Sequence, residues 1–183
     1  MANTLDNVLI KYSDNDGVLR TVTYKAFVEQ DPKQLSKNDQ KVFPAISELY
    51  QLNNREPPLY HSFEDVPQKP LTIDLTKTKH PNPYCYGLFN GKENSVYVHT
   101  DNFKGGFFAA LEVLAHELKH AEQQSEETRR LEKENGLIFQ QISFLKEAQA
   151  FSFGNFVRAL YVSEKGNFRD VLKCYFSRSC SLY

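Results

Sequence analysis

The chain opens with two β-rich runs, residues 5–12 and 18–24. They flank Asp14-Asn15-Asp16-Gly17, where Gly17 supplies the positive φ of a tight turn, so the pair reads as a hairpin. Asp14 and Asp16 resemble the start of a calcium loop, but the glutamate such a loop needs at its twelfth position is missing, and the turn reading prevails. Over residues 36–53 the period lengthens to that of a helix. Ser36 is placed as N-cap with Asp39 three residues on, ahead of Val42, Ile46 and Leu49. Pro44 has to sit early in that helix or kink it.

Residues 54–83 are rich in proline and read as an irregular wrap. Two short strands follow, Tyr84–Phe89 and Ser95–Thr100, joined through Asn90-Gly91, a strong hairpin signal. Gly105-Gly106 turns into a helix over about 106–124. A charged stretch, 126–135, and Gly136 precede a largely apolar helix over about 137–161, and a last helix is predicted over 168–176. Strands first and helices later predict an α+β fold: a small antiparallel sheet packed against two helices. The length suits one domain, 1–183, with a core at 84–162, the hairpin and helix of 1–53, and the proline-rich wrap 54–83.

Composition narrows the function classes. Twenty-two basic residues against 23 acidic ones leave a formal net charge of -1, so no whole-chain field recruits nucleic acid or an anionic membrane. No stretch approaches 18 apolar residues, and no basic start with an apolar run marks a cleavable leader. A cytoplasmic protein is expected, or one exported without such a signal, including an effector delivered into another cell. Cys85, Cys174 and Cys180 have neither the number nor the spacing for a disulfide framework or a cysteine-rich zinc site.

The chemistry concentrates in His116-Glu117-Leu118-Lys119-His120, an HExxH. Histidines at i and i+4 share one helix face, so both imidazoles reach one tetrahedral metal at about 2.0–2.1 Å. Glu117 lies about 100° round the helix, beside the metal, where it can take a proton from a water. Phe107, Ala110, Leu111, Leu114, Ala115, Leu118 and Ala121 form an apolar stripe roughly opposite the histidines, with Ala109 and Val113 on the histidines' own side. The helix therefore turns one face to a core and the other to a site.

A catalytic zinc needs a third ligand. No histidine follows His120, so a downstream ligand would be an Asp or Glu. Glu126, Glu127, Glu132 and Glu134 lie among arginines and lysines and read as a solvated face. Glu147 lies in a mostly apolar helix with Phe144 and Phe151 on its own face, where a carboxylate needs a positive partner: zinc, or a salt bridge with Lys146 or Arg158.

These residues resemble the gluzincin branch of the zincins, in which HExxH is followed by a glutamate on a second helix. The version here, HELKHAEQ over 116–123 and EAQA over 147–150, is similar to small bacterial metallopeptidase-type chains with HELxHxxQ and a later EAxA. The resemblance covers about residues 84–162. It implies a zincin-like fold, a zinc cofactor on His116, His120 and Glu147, Glu117 as catalytic base, and a peptide or protein substrate. It also implies that Ser95–His99 is the edge strand to which an extended substrate adds. Tyr161 is a candidate for the oxyanion, against a plainer role as a core or rim aromatic. His99 is a candidate cleft residue, against a partly exposed polar one; His61 and His80 form no constellation. Two other readings stand beside the peptidase: a zinc hydrolase acting on a non-peptide amide, and a non-catalytic protein-interaction domain.

Overall fold

The computed structural model describes residues 3–61, 63, 69–103, 106–124 and 139–165. The predicted segments at 126–136 and 168–176, together with Gly105, Cys174 and Cys180, lie outside the described residues. The fold is α+β: among the described residues there are five strands in one sheet and four α-helices. Strands β1 (Leu9–Ser13) and β2 (Leu19–Thr23) form the expected antiparallel hairpin. Its turn is held by Asp14, whose Oδ1 accepts from the backbone N–H groups of Asp16 (3.1 Å) and Val18 (2.8 Å), while Gly17 takes φ +79°. Asp14 is thus spent on the turn and on Arg20, at 2.9 Å. After a short helix α1 (Tyr24–Val28), helix α2 runs from Lys37 to Asn53. Ser36 caps it as predicted, its hydroxyl accepting from Asp39 N–H at 3.2 Å. Pro44 sits well past the first turn, inside the helix.

The proline-rich stretch holds a strand. β3 (Thr72–Asp74) is the middle of the sheet, whose order is β2-β1-β3-β5-β4. β3 runs parallel to both β1 and β5, with Ile73 opposite Ile10 on one side and Val96 on the other. The sheet is therefore mixed and not antiparallel throughout. β4 (Gly87–Asn90) and β5 (Ser95–Val98) pair antiparallel as expected, but the positive φ of their turn, +48°, falls on Asn94 and not on Gly91. Asparagine is among the few residues that tolerate that region.

Helix α3 (Phe107–Glu122) carries the HExxH, and α4 (Phe139–Lys165) carries Glu147. α3 is flanked by α2 and α4 and touches β4 and β5. Its buried residues Ala110, Leu111, Leu114, Ala115, Leu118 and Ala121 match the predicted apolar stripe. They join one hydrophobic cluster that extends from Leu5 and Ile10 through Ile46 and Ile73 to Val157. The core thus takes in residues from the first 53 as well as from 84–162. Among the described residues no helix is long and apolar enough to cross a membrane.

Candidate metal centre

One turn of α3 separates His116 from His120, and their Nε2 atoms lie 3.0 Å apart. Glu147 arrives from α4 with Oε2 3.6 Å from His116 Nε2 and Oε1 3.4 Å from His120 Nε2. The structure therefore brings together the three side chains singled out as ligands, the one such group among the described residues. Four tetrahedral bonds of about 2.0–2.1 Å put neighbouring donor atoms about 3.3 Å apart. Separations of 3.0–3.6 Å fit that geometry.

The protonation states fit as well. His120 Nδ1 lies 3.0 Å from Gln123 Oε1. The amide nitrogen of Gln123 is already committed to Lys146 O (3.1 Å) and Gln149 Oε1 (3.0 Å), both on α4. Gln123 can therefore only accept from Nδ1–H, which leaves the lone pair of His120 on Nε2, facing His116 and Glu147. Burial holds His116 below its ordinary 6.5, helped by neighbouring His120 and opposed by Glu147 and a hydrogen bond to the Ala150 backbone. A neutral imidazole is the form that binds a metal. Two ring nitrogens and a carboxylate converging in this way repel one another unless a proton or a cation lies between them.

Glu117 is buried, with 8% of its surface exposed. Its Oε2 accepts from the Phe89 backbone N–H at 2.8 Å. Burial raises its carboxyl to about 7 from an ordinary 4.5; the Phe89 N–H works against that rise and the Glu147 charge adds to it. A carboxyl in this range can both take and return a proton near neutral pH.

Two glycines set these distances. At Gly154 a Cβ would lie 2.9 Å from the backbone oxygen of Glu112, so α4 can lie against α3 only because that atom is missing. At Gly87 a Cβ would meet Val113 Cγ1 at 2.7 Å and Glu117 Cγ at 3.0 Å. α4 and β4 thus close on α3 from two sides and leave a cleft between them with His116 and Glu117 in its floor.

The edge strand over α3 is β4; Ser95–His99 lies inside the sheet, between β3 and β4. His99 N–H donates to Tyr86 O at 2.9 Å, and the 87↔98 register then makes the even-numbered residues of β4 face β5. The main-chain groups of Gly87 and Phe89 consequently point outward, as the Phe89–Glu117 bond demonstrates.

Glu147 is not the buried carboxylate that its sequence surroundings predict. Its side chain is 55% exposed, and Phe144 and Phe151 are exposed at 73% and 64%. The carboxylate is not forced to a partner by burial; it is positioned by the close approach of α4. Arg158, its alternative partner, pairs instead with Glu112 at 3.0 Å. Tyr161 packs on Phe107 and Phe108, at ring distances of 4.8 and 5.8 Å, on the rim of the core. His99 is buried, its Nδ1 2.6 Å from Lys77 O and its ring 5.1 Å from that of His80; it is neither a cleft residue nor a partly exposed one. His61 enters through its backbone, donating N–H to Glu122 Oε1 at 2.8 Å.

Gln123, Gln149, Gly87 and Gly154 escaped the sequence reading as contributors to the site. Gln123 carried a signal, since three residues beyond His120 is the same helix face. The glycines carried none, because a close approach between elements is a tertiary fact.

Compared with protein-family models, with curated proteins and with solved structures, the chain matches none. What bears on function is the geometry of its own residues.

Proposed function

We propose that the protein is a zinc-dependent peptidase in which His116, His120 and Glu147 hold the metal and Glu117 is the catalytic base. The observation that carries this reading is the meeting of three donor groups at 3.0–3.6 Å with a buried carboxyl beside them. Zinc in such a site supplies Lewis acidity, making water a better nucleophile and a carbonyl a better target. Gln123 keeps His120 in the tautomer that presents Nε2. Glu117 leaves the Phe89 N–H, takes a proton from the attacking water and gives it to the departing amine. An extended peptide would lie along β4, pairing with the outward main-chain groups of Gly87 and with the Phe89 carbonyl.

Elemental analysis of the purified protein beside His116→Ala is the first test. One zinc per chain in the wild type, lost in the variant, is expected. Glu117→Gln should keep the zinc and lose hydrolysis of a peptide library by about 10²–10⁴-fold. A wild type that takes up no zinc when it is added back, or a Glu117→Gln variant with full activity, would sink the proposal.

A further inference from the structure

Three large apolar side chains that line the cleft stand exposed, where folding alone does not ask for them: Tyr84 is 81% exposed, Phe151 64% and Leu88 44%. Two of these, Tyr84 and Phe151, line one and the same cavity, of about 360 Å³, at the end of the cleft nearest His116. The floor of that cavity contains Gly87, Val113 and Gly154. The two glycines leave no side chain to fill it, and a Cβ on either would strike α3. Of the two carboxyl groups in its lining, Glu112 is paired with Arg158 at 3.0 Å and Glu117 accepts from the Phe89 N–H. Phe151 also sets its ring against His116, the centroids 4.6 Å apart and the planes at 69°. The other end of the cleft is built differently, with Gln124, Lys146 and Glu147 beside Leu88 and Phe89.

Exposed aromatics cost solvation unless something covers them, and two aromatic side chains lining one concave cavity can recognise a flat apolar group. We propose that this cavity is a side-chain subsite for a large apolar residue, aromatic above all, of the bound peptide, with Tyr84 and Phe151 as its specificity-determining walls. The proposal rests on the reading of the cleft as a peptide site. It adds that the substrate class is peptide carrying an aromatic or bulky aliphatic side chain next to the bond presented to His116 and Glu117. Selectivity is one-sided, because Tyr84 and Phe151 both line the same end of the cleft.

The test reads binding as well as hydrolysis. The chain contains no tryptophan, so a tryptophan in a ligand is the only indole in the sample. The probes are two capped pentapeptides, one of four alanines around a central tryptophan and one all-alanine, titrated into zinc-loaded Glu117→Gln protein. The tryptophan peptide should shift its emission to the blue on binding and bind about tenfold or more tightly than the alanine peptide, measured by calorimetry. Tyr84→Ala should erase most of that preference while leaving the alanine peptide within twofold; Phe151→Ala, whose ring also packs on His116, should erase the preference as well. In the wild type, cleavage products from a random peptide library should show apolar residues enriched at one position beside the cut. Equal binding of the two peptides, or a preference that survives both substitutions, would overturn the subsite. A tryptophan preference lost in Tyr84→Ala, in a protein that hydrolyses no peptide, would keep the subsite and remove the peptidase reading instead.

Discussion

Helices α2 and α4 both pack on α3, but with opposite materials. α2 presents Val42, Ala45, Ile46, Leu49 and Leu52, all buried, and so fills its side of the interface with side-chain volume. α4 also sends Val157 and Val162 into the core and lays Tyr161 on Phe107 and Phe108, but beside His116 it presents Ala150 and Gly154, whose small size lets the backbones approach, while Phe144, Phe151 and Phe156 are exposed. The first interface is bulky along its length; the second is thin where it meets the site. The lesson is that the candidate site depends on the helix that contributes less to the core, and that the two contributions can be separated by mutation.

The largest effect should come from the bulky side. Ile46→Ala empties a fully buried position and should cost about 2–5 kcal/mol in urea unfolding, with zinc still bound stoichiometrically by the folded fraction. Loss of zinc binding from folded Ile46→Ala protein would break the separation. Gly154→Val comes next. Its Cβ would meet a backbone oxygen at 2.9 Å, so α4 must shift; about 1–3 kcal/mol of stability should go, together with at least a tenfold loss in zinc affinity, as Glu147 is carried away from the histidines. A variant that unfolds more easily yet binds zinc as well as wild type would show that the close approach does not position the ligand. Gln123→Ala removes a buried side chain that bonds to α4 and should cost about 1–2 kcal/mol of stability; it should also weaken zinc by about 10–100-fold, read by competition with a chelator, because His120 loses the acceptor that fixes its tautomer.

The smallest effect sharpens the comparison on the α2 side, which holds a buried carboxyl of its own. Burial of Asp39 lifts it above an ordinary 3.8, against the pull of the Ser13 and Ser36 hydrogen bonds. The folded state therefore prefers the proton; that contribution is complete below the unfolded value and is lost as pH rises through the higher folded one. Asp39→Asn, which does not titrate, should gain on the wild type as pH is raised from about 3 to about 7, the midpoints of urea unfolding separating steadily. Separation in the opposite direction would mean that the Ser13 N–H and the helix N-terminus hold the charge better than burial opposes it.

How much of this could be read beforehand follows the range of the interactions. The hairpin, the Ser36 cap and the amphipathic HExxH helix depend on neighbours within a few residues, and all three stand where they were expected. β3 was hidden: three residues, Thr72–Asp74, in a stretch dominated by prolines, too short for any period to register. Without it the parallel pairings could not be foreseen, and β5 was taken for an edge. Glu147 was singled out on an argument from burial that does not hold, since the helix around it is apolar but exposed. Its meeting with the histidines depends on Gly154, seven residues further along α4, and on where α4 crosses α3.

The strand order also decides where this chain can be shortened. The residues around the candidate site begin at Tyr84, and trimming to them is an obvious economy for anyone wishing to produce the site alone. Such a fragment would lack β3 and with it the parallel partner of Ser95–Val98. β5 would then carry a bare row of main-chain donors and acceptors, beside the apolar Val96 and Val98 that the full chain buries. A strand in that condition is a template for any other extended chain. The minimal unit that stays apart from its own copies must therefore reach back to include Thr72, and with β3 the hairpin that covers its far side.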